Sequence, residues 1–327
     1  MQAVYIKDFG GPENLVLREV PDPPEPAGSE VLIRVRAAGL NRADLLQRRG
    51  FYPAPPGTNS HIPGLEFAGE VVRTGNSVTT ALTGDRVFGI TAGEAQAEYL
   101  LIDERLLAPI PENLSFTEAA AVPEAFVTAH DAIFTQGRLQ RGETLMIHAV
   151  GSGVGLAALQ LAKAAGARVI GTSRTADKLE RCKAFGLDHG ILTADGPKFA
   201  DAARAASEGG VDVILDLVGG GYFSQNIESL EVKGRLILVG LTAGAQAEFN
   251  LAQALSKRLS IIGTVLRGRS LEEKADATAK FRSEVVPLLR SGKVSPVIDR
   301  VFPAKEIRAA HEYLESNESF GKVVIEL

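Results

Sequence analysis

TLMIHAVGSGVGLAALQLAKAAGARVIGTSR, residues 144–174, decides how this 327-residue chain is read. A short apolar run, TLMIHA, stops at a cluster of glycines, Gly151, Gly153 and Gly155. An amphipathic stretch, GLAALQLAKAAG, follows at once, and a second β-branched run, ARVIGTS, comes after it. Strand, glycine turn, helix and strand in that order, within about 30 residues, form a dinucleotide-binding unit. Bulky side chains in the turn would hold the backbone away from a pyrophosphate. The start of the helix then offers unpaired N–H groups and the positive end of a dipole. A tight strand–helix turn with no ligand is the plain alternative.

The end of the second strand selects the dinucleotide. An NAD site places Asp or Glu there to hold the ribose 2′-hydroxyl. Here the strand ends Gly171, Thr172, Ser173, Arg174, with Lys178 one turn further on. A hydroxyl with cations suits a 2′-phosphate. Two charge-assisted hydrogen bonds at about 1.5–3 kcal/mol each give at least about 100-fold preference for NADPH. Asp177 stands past the strand end, in the first turn of a helix capped by Thr175, where the dipole alone favours an acid. Ordinary surface charge is the alternative for Arg174 and Lys178.

Outward from this unit the alternation continues: DKLERCKAFG, VDVILDLV, a helix near 222–230, GRLILVGL, a helix near 251–256 and LSIIGTVL. Apolar β-branched runs separated by amphipathic helices predict a doubly wound parallel sheet covered on both faces. The residues before it are β-rich. In VLIRVRAAGL (31–40), Leu32, Arg34 and Arg36 alternate with Val31, Ile33 and Val35, the period of a half-buried strand. FAGEVVRTG, DRVFGI and AEYLLID are further strands, and the proline-rich stretches at 21–26 and 53–56 are loops. Ser115, Thr117 and Glu118 signal a helix start. The tail, from EKADATAKFRSEVVPLLRSG through VIDRVF to GKVVIEL, is expected to pair back into the first β region. The fold class is therefore α/β. A twisted β-rich catalytic domain at 1–123 and 285–327 is joined to a Rossmann domain at 124–284.

Composition narrows the function. The chain is 45% hydrophobic and 23% charged, the balance of a packed globular protein, and two domains fit its length. A net charge of −5 without basic blocks argues against a nucleic-acid binder. The single cysteine, Cys182, excludes an internal disulfide and a multi-cysteine metal site. The first residues lack the apolar core of a signal peptide, and no apolar run reaches about 18 residues. A cytoplasmic protein with no membrane partner is the expectation.

GLNRADLLQRRGFYPAPPG, IPGLEFAGEV, AAAVPEAFVTAH, IHAVGSGVGLAALQLAKAAGA, DLVGG and GKVVIEL occur in order along the whole chain. Together they resemble the zinc-free medium-chain dehydrogenases/reductases. Within these they are most similar to the zeta-crystallin-like NADPH quinone oxidoreductases, in particular the stress-inducible branch. The resemblance implies a GroES-like catalytic domain, a six-stranded Rossmann domain with the active site in the cleft between them, and a homodimer or homotetramer. It also implies a hydride transfer from NADPH to a quinone.

In zinc-dependent relatives the catalytic cysteine would align with Asn41 and a metal-binding histidine with Leu65. Glu66 survives but cannot hold a metal alone, so no metal is expected. By resemblance, Asn41 faces the nicotinamide, and Tyr52 sits at the substrate mouth to stack on a ring or donate a proton. Thr128 approaches the nicotinamide ribose or amide. Gly151, Ser152, Gly153 and Val154 hold the pyrophosphate, and Ser173, Arg174 and Lys178 the 2′-phosphate. Val218, Gly240 and Leu241 line the cofactor trough. Val265 and Leu266 receive the carboxamide, and Lys322 is a C-terminal cofactor contact.

Two departures stand out: Ser152 in the middle of the glycine pattern, with a hydroxyl able to meet phosphate, and Thr193 where close relatives carry a tyrosine near the adenine. Several residues also have bland readings. Tyr52 can simply anchor its loop, Asn41 can bond local backbone, and Glu124 can shape a hinge. His148 reads as a satisfied core histidine, Cys182 as half-buried packing, and Arg267 and Arg269 as surface or rim charges. Two other functions fit the same residues. One is an NADPH-dependent alkenal or enone double-bond reductase; the other is an NADPH-binding protein with a structural or RNA-binding duty and no turnover.

Overall fold

The computed structural model describes residues 1–327 and divides into two compact units, Met1–Val127 with Leu266–Leu327, and Thr128–Val265. In chain order, the first unit opens with β1 (Gln2–Ile6), β2 (Leu15–Glu19) and β3 (Glu30–Leu40). It continues with α1 (Arg42–Arg48), β4 (Glu66–Thr74), β5 (Arg86–Ile90), β6 (Tyr99–Asp103), β7 (Leu107–Pro109) and α2 (Phe116–Ala120). α3 (Pro123–His130) carries the join at Val127 and Thr128.

The second unit follows as a strict alternation: β8 (Thr144–Ile147), α4 (Gly153–Ala165), β9 (Arg168–Ser173), α5 (Ala176–Cys182), β10 (His189–Leu192), α6 (Ala200–Ser207), β11 (Val211–Asp216), α7 (Tyr222–Ser229), β12 (Leu230–Leu238), α8 (Leu251–Lys257) and β13 (Ser260–Gly263). Its six strands pair in the order β10-β9-β8-β11-β12-β13, every pairing parallel. This is the doubly wound sheet that the alternation predicts. Met146, Ile170, Ile214 and Leu236 from four adjacent strands meet Phe199 and Ile227 from the helical side in one buried cluster. The order reverses between β8 and β11. At such a point a doubly wound sheet leaves a crevice beyond its strand ends.

The chain then returns to the first unit through α9 (Leu271–Lys280), α10 (Val286–Arg290), β14 (Ile298–Pro303), α11 (Ile307–Glu315) and β15 (Lys322–Glu326). β15 pairs antiparallel with β3 and parallel with β14, closing a mixed sheet that runs β14-β15-β3-β4-β5-β7, with β6 also on β3. β3 holds this sheet together. Along it Val31, Ile33 and Val35 are buried and Arg34 is exposed, but Leu32, expected on the Arg34 face, is buried as well. The period breaks where the register to β4 shifts, at Leu32/Ile33 and Val35/Ala37.

The joins differ from those expected at 123/124 and 284/285. The second falls at Val265/Leu266 because α9 belongs to the β-rich unit. Leu271 and Ala275 pack against the cluster of Val31, Phe67 and Val87, and Phe281 meets Phe88 edge-on at 5.6 Å. Amphipathic spacing shows that a helix must be covered, but not by which sheet. No helix is long and apolar enough to cross a membrane.

Candidate functional site

In the second unit the glycine turn is built tightly. Ala149 adopts a left-handed conformation with φ of 50°, and Ser152 precedes α4 and accepts the Gly155 N–H on its Oγ at 3.1 Å. The hydroxyl proton of Ser152 remains available to a phosphate oxygen. A Cβ at Gly155 would stand 2.6 Å from the carbonyl oxygens of both Ala149 and Val150, so only glycine lets the helix start this close to the strand end. Gly153 and Val154, partly exposed, occupy the first turn of α4. First-turn N–H groups have no acceptor within the helix. A pyrophosphate fits this cradle.

At the end of β9, Ser173 is buried and accepts the Thr175 N–H at 3.2 Å, and Arg174 is exposed. Thr175 stands at the cap position of α5, but its side chain makes no capping bond, which corrects the expectation of a threonine cap. Lys178 is half-buried one turn into α5. Asp177 is exposed and lies 3.8 Å from Arg181, along its own helix, a partner that accounts for it without a ribose. Cys182 is fully buried rather than half-buried, and burial pushes its thiol up to about 12.

His148, at the end of β8, has both ring nitrogens bonded, Nδ1 to Thr172 Oγ1 at 2.9 Å and Nε2 to Asn226 Oδ1 at 2.6 Å. Asn226 donates in turn to Asp216 Oδ2 at 2.9 Å, and Asp216 Oδ1 receives the N–H groups of Val218 and Gly219 at 2.7 and 2.9 Å. Burial holds the imidazole below its usual pKa, so it is a neutral strut. The chain of bonds fixes the Val218 turn relative to β8 and β9. Gly240 and Leu241 follow β12; a Cβ at Gly240 would lie 2.7 Å from the Leu217 carbonyl. Thr128 is half-exposed on α3, and Val265 is exposed at the end of the unit. Thr193 is buried and receives a hydrogen bond from the Tyr222 hydroxyl at 2.9 Å. A tyrosine thus reaches the end of β10 from α7. Tyr222, Asn226 and Asp216 were not singled out in the sequence. Only the acid ending VDVILD offered a local signal for any of them.

The first unit carries a second constellation. Lys322 Nζ donates to the Leu40 carbonyl at 3.0 Å, Asn41 Oδ1 at 2.6 Å and Glu66 Oε1 at 2.5 Å. An ammonium has three protons, and these acceptors use all three. In this arrangement Lys322 has no donor left for a cofactor; it orients Asn41, whose Nδ2 donates to the same Glu66 oxygen at 2.8 Å. Glu66 is completely buried, and its Oε2 receives the Glu124 N–H at 2.8 Å. Gly39 makes the cluster possible, since a Cβ there would lie 2.2 Å from Glu66 Oε1.

Four further groups border it. Asp44 is buried and bonded by the N–H groups of Asn41 and Gly64, and burial raises its carboxyl to about 6. The Glu124 carboxyl is raised to about 8, first by burial and then by Glu66, so it is largely protonated at neutral pH. Tyr52 has its phenol raised, by burial first and then by Glu124, and is un-ionised at neutral pH. Arg267, expected as a surface or rim charge, is buried at 6% exposure, with its guanidinium 4.8 Å from the Tyr52 ring centroid. Leu266, also buried, begins this stretch, and its carbonyl accepts the Arg269 N–H at 3.1 Å.

No three His, Cys, Asp or Glu side chains come together in metal-binding geometry. The aligned positions carry an amide at Asn41, a buried Leu65 and a carboxylate already paired with an ammonium. That donor set does not fit a metal ion.

Comparison with known proteins bears on both constellations. Residues 27–129 match the alcohol dehydrogenase GroES-like domain, and residues 153–281 match the zinc-binding dehydrogenase family. The chain is 32% identical to the quinone oxidoreductase of Rattus norvegicus, over 99% of this chain and 97% of the relative. Among solved structures, Escherichia coli quinone oxidoreductase complexed with NADPH superposes with a TM-score of 0.88 at 28% identity, over the full length of both chains. An NAD-dependent alcohol dehydrogenase gives 0.88 at 31% over the full length of both. JamJ enoyl reductase gives 0.89 at 25%, over 99% of this chain and 98% of that one.

Proposed function

Because the chain belongs to the medium-chain dehydrogenase/reductase family, with full-length quinone oxidoreductase relatives, we propose that it reduces quinones with NADPH and without a metal. The observation that carries this reading is the Lys322–Glu66–Asn41 cluster. Drawing hydride from an alcohol needs a Lewis acid or strong base on its hydroxyl. A side-chain ammonium that is fully hydrogen-bonded supplies neither. Quinones are already electrophilic and accept hydride unaided.

The bound NADPH supplies a hydride from its nicotinamide C4. The backbone of Gly151, Ser152, Gly153 and Val154 holds the pyrophosphate, and Ser173, Arg174 and Lys178 hold the 2′-phosphate. Absence of an acid at the end of β9 favours NADPH over NADH. Thr128, Val218, Gly240, Leu241, Val265 and Leu266 line the cofactor, and Asn41 presents its fixed amide to the nicotinamide. Tyr52 donates a proton to the acceptor oxygen, so that quinone, hydride and proton balance as hydroquinone and NADP⁺. The active unit is a homodimer or homotetramer, formed through the β13 edge, where Ile261 is exposed, and α8 exposes Leu251 and Leu255.

The test is NADPH consumption with 9,10-phenanthrenequinone beside a 2-alkenal and beside NADH, all with EDTA present. Quinone-dependent loss that ignores EDTA and exceeds the other two rates supports the reading. Faster turnover of the alkenal moves the assignment to double-bond reduction, the reading favoured by the enoyl reductase likeness. Tight NADPH binding with no turnover on any acceptor sinks both and leaves a non-catalytic binding protein.

A further inference from the structure

Arg267 is the most heavily engaged side chain around Tyr52. Its Nε donates to the Ala92 carbonyl at 2.7 Å, Nη1 to the Tyr52 carbonyl at 3.0 Å and Nη2 to Gln47 Oε1 at 2.6 Å. Gln47, 1% exposed, donates onward to the Ser60 carbonyl at 3.0 Å. One guanidinium therefore ties together α1, the proline-rich loop and the turn after β5. The same group lies over the Tyr52 ring. A surface arginine does none of this. The planar fork of arginine suits the arrangement, and the compact ammonium of lysine does not.

We propose that Arg267 is a positioning residue for the reaction, fixing the Tyr52 ring and stabilising the phenolate left when Tyr52 gives up its proton. The proposal rests on the reading that Tyr52 protonates the acceptor. In that step the Tyr52 O–H bond breaks, a bond from that proton to the reduced acceptor oxygen forms, and water later returns a proton to the phenolate. The electrons come from the hydride alone. The charged and titratable groups that act on the phenol are Glu124 and Asp44, which favour the neutral form, and Arg267, which favours the phenolate. Lys274 is the other cation beside Arg267. Desolvation lowers the pKa of the guanidinium, and Asp44, with Tyr52 and Glu124 once they ionise, opposes that shift.

The chain has five tyrosines, so labelling with 3-fluorotyrosine gives a tractable ¹⁹F spectrum, in which Tyr52→Phe identifies the Tyr52 line. Its pH midpoint reads the acidity of the phenol without any turnover. In Arg267→Met the midpoint is expected to rise by about one pH unit, roughly a tenfold fall in the ionisation constant. The kcat with quinone should fall roughly tenfold or more while KM for NADPH holds within about threefold. Gln47→Leu, which frees one arm of the fork, should move the midpoint the same way by less, and it serves if Arg267→Met does not fold. A midpoint unchanged within about twofold overturns the proposal and leaves Arg267 a structural staple. Full turnover in Tyr52→Phe removes Tyr52 from the chemistry, and with it the catalytic half of the proposal; the ¹⁹F midpoint still decides whether Arg267 acts on the ring.

Discussion

Lys322 and Glu66 are 5% and 0% exposed, and a buried ion pair of this kind is judged by what happens when one partner goes. Removing only the cation leaves an uncompensated buried carboxylate, at a cost of about 3–5 kcal/mol. Lys322→Met is therefore expected to lower the urea midpoint strongly, and adding Glu66→Gln should recover part of the loss. At the other constellation, Arg174→Ala should raise KM for NADPH about tenfold and leave KM for NADH nearly unchanged, checked by initial rates with both cofactors. Asp177→Ala should alter neither. The candidates in the glycine turn and at the end of β9 were legible because their signals are local: a glycine spacing and the residue that follows a strand. Arg267 was not legible. Its acceptors lie 175 to 220 residues away, and GTVLRGR by itself looks like solvated loop. Lys322 was singled out for the cofactor, yet its acceptors are Leu40, Asn41 and Glu66, which only the pairing of β15 with β3 brings near.

Elements were easier to read than their partners. The strands and helices named for the second unit fall within a few residues of their expected places, because each run there is bounded by glycine or by a change of hydrophobic period, whereas β10 and α6 were not read at all. The boundary drawn at 284/285 left α9 with the second unit, although the tail reading had put most of it with the first, because amphipathicity names a face and not its cover. The tight β8–α4 connection makes its own prediction. Gly155→Ala places a methyl against two carbonyl oxygens of a turn already held by Ser152. Backbone must move, at about 1–3 kcal/mol by analogy with overpacking. The N–H groups of α4 shift with it, so NADPH affinity should drop at least about tenfold by fluorescence titration while the far-UV dichroism stays that of the parent. The β13 edge carries the prediction of assembly. Ile261→Lys on that strand should convert an oligomer to monomer by light scattering, since a charge there opposes edge-to-edge pairing.

For the whole molecule, two groups whose ionisation is opposed by desolvation pull stability in opposite directions with pH. Burial holds Glu124 at about 8 against 4.5 for an ordinary glutamate. Between those values the folded state keeps a proton that the unfolded state releases, so stability falls as pH rises, by up to about 1.4 kcal/mol per unit. Glu124→Gln should abolish that slope and be the more stable form at pH 8–9. His311 is completely buried with neither ring nitrogen hydrogen-bonded, and burial and then Arg48 push it down to about 3 from 6.5. Below pH 6.5 the unfolded state takes a proton that the folded state refuses, so stability falls as pH drops. His311→Leu should unfold at lower pH than the parent in an acid titration followed by circular dichroism.

The arrangement of the sheets also bears on synthesis. Residues 128–265 are contiguous, and every strand of their sheet is available once Gly263 has been made. The other sheet needs β15 against β3, a pairing that brings Lys322 to Leu40 across 282 residues. Domains fold as units while the chain grows, usually from the N-terminus. Here the order is inverted: the β-rich half, first to leave the ribosome, has to wait for β15, with the Ala37–Leu40 stretch of β3 lacking its β15 partner and the Glu66 carboxylate lacking its ammonium in the meantime. Nascent chains arrested near residue 310 should yield a protease-resistant fragment from the second unit and none from the first.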